Sequence, residues 1–63
     1  MALTLKQARL LGEKTQDQMA ELLHIHVQTY RKLEENPEEV TIKQAKAICK
    51  YLGQNLDTIF FTL

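Results

Sequence analysis

One cysteine, Cys49, stands in a chain of 63 residues, so no disulfide within the chain can staple the fold. A reducing, intracellular setting is favoured. There is one proline, Pro37, and two glycines, Gly12 and Gly53. Breaks are few, and each falls between stretches of helical periodicity. No apolar–polar alternation bounded by turn residues is present, which argues against strands. No apolar run approaches the length needed to span a bilayer. The opening MALTLKQARL lacks a signal peptide's long apolar stretch. The expectation is a cytoplasmic protein with no membrane partner. Surplus charge is missing too: eight Lys and Arg balance eight Asp and Glu. A nucleic-acid partner usually goes with a basic excess, so the placement of charge matters more here than its sum.

What is present is a hydrophobic content of 44%, enough for a small core. The length fits one domain, 1–63, with no linker, repeat or low-complexity tract. The expected fold class is all-α, a compact bundle of five helices.

The helix starts are written as capping boxes. Thr4 opens the first with TLKQ, Thr15 the second with TQDQ, and Thr41 the fourth with TIKQ. Leu3 with Ala8, and Val40 with Ala45, sit at the positions of hydrophobic staples. Leu5, Ala8 and Leu11 form the expected stripe of helix 1. Arg9 lies beside it and needs a partner. Gly12 ends that helix. Lys14 falls where an apolar residue would pack, so its stem serves while its head reaches solvent. Asn36 and Pro37 end helix 3 near Glu35. Ile42, Ala45, Ile48, Cys49 and Leu52 line one face of helix 4, which Gly53 stops. Asn55 caps a short fifth helix carrying Leu56, Ile59 and Phe60.

The central stretch is Gln16 to Leu33, QDQMAELLHIHVQTYRKL. Met19, Ala20 and Leu23 share one face of a second helix, and Tyr30 and Leu33 one face of a third. Ile25 lies between them, where a buried residue sets the angle. Ala20 is small enough for a close crossing. His24 occupies the turn position that most wants a positive φ, which histidine tolerates. This is the pattern of a helix-turn-helix at about 15–35, whose second helix is presented to DNA.

These residues, in this order and spacing, resemble the Xre family of phage-repressor-type helix-turn-helix proteins, the Cro and C1 class. The likeness runs from Leu5 to Phe60. It is carried by Thr15-Gln16, by the MAELL run with Ile25, by Tyr30 and Leu33 with Glu34 directly after, and by Leu52-Gly53 followed by NLDTIF. The resemblance implies a five-helix, lambda-repressor-like domain that binds double-stranded operator DNA, commonly as a homodimer. It implies a sequence-specific transcriptional regulator, a repressor, with no enzymatic activity. It also implies roles for residues. Gln16, beside Thr15 at the start of helix 2, contacts the DNA backbone or a base. Val27, Gln28 and Lys32 read bases. Arg9 and Glu34 form an ion pair between helix 1 and the end of helix 3.

The chemistry of the third helix fits that role. His26, Val27, Gln28, Arg31, Lys32 and Glu35 face outward if Tyr30 and Leu33 face in. Gln28 can bond bidentately to adenine, Val27 can meet a thymine methyl, and Arg31 and Lys32 can reach guanine or phosphate. The same residues also suit an ordinary solvated helix face; the two-helix frame favours DNA because it supplies groove geometry. Gln16 lies near free backbone N–H groups that could hold a phosphate, and the plainer alternative is a polar helix residue. Next to core positions, Arg9 and Glu34 are expected to be partly buried and to orient helix 3.

Other constellations are read as structural. His24, His26 and Cys49 match no zinc spacing, so neither a metal nor a cofactor is expected. Cys49 at helical spacing belongs to the core. Lys43, Lys46 and Lys50 form a solvated face. No nucleophile with a matched base and no glycine-rich phosphate loop supports an enzyme.

One stretch departs from the family pattern. EENPEE, Glu34 to Glu39, places four glutamates where basic residues often pass the sugar-phosphate backbone. Acids there oppose binding. The monomer is expected to bind weakly, with affinity recovered by dimerisation or partner domains. The alternative function is a protein-interaction or dimerisation module on the same frame, favoured by these acids, by the zero net charge, and by the apolar tail Ile59, Phe60, Phe61 and Leu63.

Overall fold

The structure, a computed structural model, describes residues 3–59, the side chains of Leu56 and Thr58 excepted. Helices α1 (Leu5–Leu11), α2 (Gln16–Leu23), α3 (Val27–Glu35) and α4 (Ile42–Leu52) follow in order, with a 3₁₀ turn at Pro37–Glu39 between α3 and α4. No strand occurs among the described residues, and the all-α expectation holds. Four complete helices, not five, make up this part of the chain. The fifth element is a single helical turn, Leu56–Ile59. Phe60, which the sequence assigns to that helix, lies outside the described residues, as do Phe61 and Leu63.

The three capping boxes form as written. Thr4, Thr15 and Thr41 each accept a backbone N–H from the glutamine three residues on, at 3.0, 3.1 and 3.1 Å. The side chains of Gln7, Gln18 and Gln44 accept the threonine N–H in return, at 2.9, 2.8 and 3.0 Å. Each cap is worth about 1 kcal/mol. Together they fix where α1, α2 and α4 begin.

The helix ends differ in one respect from the sequence reading. Gly12 follows α1, but its φ is −82°. The left-handed residue is Glu13, with φ 57°. Lys14 N–H then donates to Arg9 C=O at 3.1 Å and Glu13 N–H to Leu10 C=O at 3.0 Å, a Schellman motif without glycine at its left-handed position. Gly12 lies close to α4 instead: a Cβ there would come within 2.9 Å of Leu52 Cδ2, and that side-chain methyl would have to shift. His24 closes α2 with φ 57° and Gly53 closes α4 with φ 69°.

The core gathers Leu5, Ala8, Met19, Ala20, Tyr30, Leu33, Ala45, Ile48, Cys49 and Ile59, with Leu3, Leu23, Ile25, Val27, Val40 and Leu52 packed against it half-buried. Two expected core residues are outside it. Leu11 is 65% exposed. The inward stripe of α1 runs through positions 5, 8, 9 and 12, and Leu11 lies about a third of a turn away. Ile42 is 57% exposed. It occupies the first position of α4, and Val40, just before the cap, packs on the core in its place. Arg9, not a leucine, completes the α1 stripe, buried to 7% exposure.

Candidate nucleic-acid interface

The two central helices meet across a turn of three residues. Ile25 N–H reaches back to Ala20 C=O at 3.0 Å and His24 N–H to Glu21 C=O at 3.2 Å, closing α2 around the left-handed His24. Half-buried Ile25 then anchors the turn on the core. Ala20, 4% exposed, lies in the core with Met19. α3 begins without a side-chain cap, since His26 makes no capping hydrogen bond. Its position is held from inside instead, by Tyr30 and Leu33, at 0% and 6% exposure.

The outward face of α3 presents His26, Gln28, Arg31, Lys32 and Glu35, all exposed. Thr15 is exposed and Gln16 half-buried at the start of α2. Val27 differs from the outward placement read from the sequence: it is half-buried and packs against the core. It precedes Tyr30 by three residues and so shares the inner stripe. That spacing was available in the sequence.

Behind this face lies a polar network joining three helices. Arg9 Nε donates to Glu34 Oε2 at 2.6 Å, with the two side chains only 8% and 7% exposed. Arg9 Nη1 donates to the Lys14 carbonyl at 3.0 Å. Gln16 Nε2 donates to the other Glu34 oxygen at 3.1 Å. Arg31 Nε donates to Gln16 Oε1 at 3.0 Å. Burial by itself would raise the Glu34 pKa, but the Arg9 guanidinium and the neighbouring donors outweigh it and hold the carboxyl below its ordinary value. Tyr30 sits beside this pair. Its hydroxyl is buried and makes no well-formed hydrogen bond; burial, with the Glu34 charge, keeps its proton on. The involvement of Gln16 and Arg31 escaped the sequence reading. They lie fifteen residues apart on different helices, and no periodicity within one helix links them.

Elsewhere the chemistry is sparse. Among the described residues no three metal-ligating side chains come together, and no helix is long and apolar enough to cross a membrane. Cys49 is buried in the core, which pushes its thiol pKa up. Lys43, Lys46 and Lys50 are exposed along α4. Lys14 Nζ sits 4.8 Å from the centre of the Tyr51 ring, a cation–π contact that ties the α1–α2 link to α4.

No curated protein and no solved structure matches the chain. A family model described as helix-turn-helix matches residues 5–59, nearly the whole length. Its members are DNA-binding regulatory domains of the Cro/C1 type. With that match laid over a left-handed turn, a buried α2–α3 crossing and an exposed face on α3, this chain belongs to the Xre-like, Cro/C1-type helix-turn-helix family.

Proposed function

We propose that this protein is a sequence-specific transcriptional repressor that reads the major groove of double-stranded DNA with α3 and binds its operator as a homodimer. The observation that carries this reading is the division of labour on α3. Tyr30 and Leu33 hold the helix to the core, and His26, Gln28, Arg31 and Lys32 stand exposed on its other side. Gln28 pairs with an adenine edge, and Arg31 and Lys32 address guanine or phosphate. The Thr15 hydroxyl accepts from Gln18 N–H and retains its proton for a phosphate oxygen. Gln16 belongs to the same backbone-facing region. Val27, with part of its surface uncovered, borders these residues. Arg9 and Glu34 orient α3 without touching DNA.

The acidic segment sets the expected strength. The Glu34 charge is met by Arg9, whereas Glu35, Glu38 and Glu39 are exposed and oppose phosphates. A monomer therefore binds weakly, and two half-sites about 34 Å apart, one helical turn, give a dimer useful affinity. The role needs no metal, cofactor or catalytic group. The single buried thiol suits a cytoplasmic location.

Selection of bound duplexes from a random pool, with the oligomeric state measured by sedimentation, tests this. A recurring motif in two half-sites is the expected result. A pool that shows no enrichment over many rounds overturns it. The competing reading, a protein-interaction module, draws on Leu10 and Leu11, 55% and 65% exposed side by side on α1. The two separate by salt: DNA binding weakens steeply as salt rises, and an apolar contact does not.

A further inference from the structure

We propose that Gln16 acts on DNA through Arg31, as the positioning residue that turns the Arg31 guanidinium into a preoriented clamp for a backbone phosphate. The proposal rests on the DNA-binding function proposed above and on the direction of one side-chain amide. An ionised carboxylate only accepts hydrogen bonds. Arg9 occupies Oε2 of Glu34, and Gln16 Nε2 donates to Oε1. With its amino group committed there, the Gln16 carbonyl oxygen faces the opposite way. It meets Arg31 Nε at 3.0 Å. The charge of Glu34 thus orients Gln16, and Gln16 orients Arg31.

What this leaves exposed is the useful end of Arg31. Its Nε is held, and neither terminal amino group has a hydrogen-bond or ion-pair partner among the described residues. A guanidinium is planar, so fixing Nε restricts the whole fork, whose remaining N–H groups match a phosphate's oxygens. Arg31 and Gln16 line two open hollows at once. One is also bordered by Glu13, Lys14, Thr15 and Asp17, the other by Lys6 and Glu35. The fork therefore stands on the rim between the start of α2 and the outer face of α3, where a strand passing the helix-turn-helix would run. Gln16 itself has both amide ends engaged. A direct contact from it to DNA could use only its second amide N–H or second lone pair, in a plane already fixed by Glu34 and Arg31. Glu34 serves the same surface: paired with Arg9, it orders a cation at the rim while its own charge is met.

The test uses a short random-sequence duplex, which isolates phosphate contacts from base reading, and fluorescence anisotropy over a salt series. R31A should lower the steepness of the salt dependence by about one. Q16M should weaken binding about three- to tenfold in the wild-type background and not at all in the R31A background. R31K keeps the charge but has no Nε, so it should bind like Q16M and be insensitive to Q16M. Equal losses from Q16M with and without Arg31 overturn the proposal. In the free protein, the Arg31 Nε–H should exchange slowly by NMR and quickly in Q16M, with the fold monitored in the same spectra. Rapid exchange in the wild type, with DNA binding intact, overturns the positioning role alone. A wild-type chain that binds no duplex even at low salt overturns the DNA-binding function and this proposal together, whatever the Arg31 signal shows.

Discussion

Arg9 Nε and Glu34 Oε2 lie 2.6 Å apart with both side chains nearly out of solvent. The contact joins the first helix to the end of the third, so α3 is referenced to α1 as well as to its own partner α2. Removing one member leaves the other charge buried. R9M should cost about 3 kcal/mol in urea unfolding, a large share of what a domain this small has. The paired replacement R9M/E34L should recover much of that loss, because two apolar groups leave no charge unmet. A single substitution costing less than the double would contradict the burial argument.

Glu34 also sets an acid limit. Its pKa is lowered in the folded state from an ordinary 4.5, so the unfolded chain binds the proton more readily. The stabilisation is fully present above about pH 4.5 and is lost as pH falls through the lower folded value. The melting temperature should decline on that acid side. E34Q, already without the charge, should show a flatter decline over the same range.

Glu13 and His24 each hold a left-handed backbone at φ 57°. L-residues pay about 1 kcal/mol for this, and glycine does not. E13G and H24G should each raise stability by up to that amount. G53A should lower it by a similar amount. Nothing lies within 4 Å of a Cβ at Gly53, so its cost is purely one of backbone conformation. Chemical denaturation of the three variants checks all of these signs.

The Tyr30 hydroxyl is buried without a well-formed hydrogen bond. Y30F should therefore be neutral or stabilising by up to about 1 kcal/mol. Y30A, which empties the centre of the core, should cost about 3–5 kcal/mol. A loss well beyond 1 kcal/mol for Y30F would mean that the hydroxyl donates to Glu34 in solution.

Gln28 stands exposed near the start of α3. Q28A should cost about 1–3 kcal/mol of binding and relax preference at a single base position. Binding selections on both proteins read this directly. An unchanged motif removes Gln28 from base reading.

The features legible in the sequence are the local ones. Three Thr-x-x-Gln boxes close rings within four residues, so their geometry depends on nothing distant. The turn at His24 and the stop after Glu35 are local in the same sense. The inner faces of α2 and α3 follow from spacings of three and four, which is why Met19, Ala20, Tyr30 and Leu33 are where the pattern puts them. Periodicity failed at helix ends, at Leu11 and Ile42, where a residue can carry the right character and still overhang the core. At Val27 periodicity and resemblance disagree: the spacing of three from Tyr30 puts it on the inner stripe, where it packs, against the outward role that the resemblance implies.

The chain's own order of residues determined that there would be helices, where α1, α2 and α4 would start, and which faces of α2 and α3 would turn inward. Only tertiary structure decided that Gly12 would lie against the Leu52 side chain, forty residues on. Only it decided that Gln16 would lie between Glu34 and Arg31. Backbone hydrogen bonds of a helix span four residues, so their code is short-range. A side-chain amide chooses its partners from whatever the packed helices bring within about 3 Å, and that choice exists only once the bundle has formed.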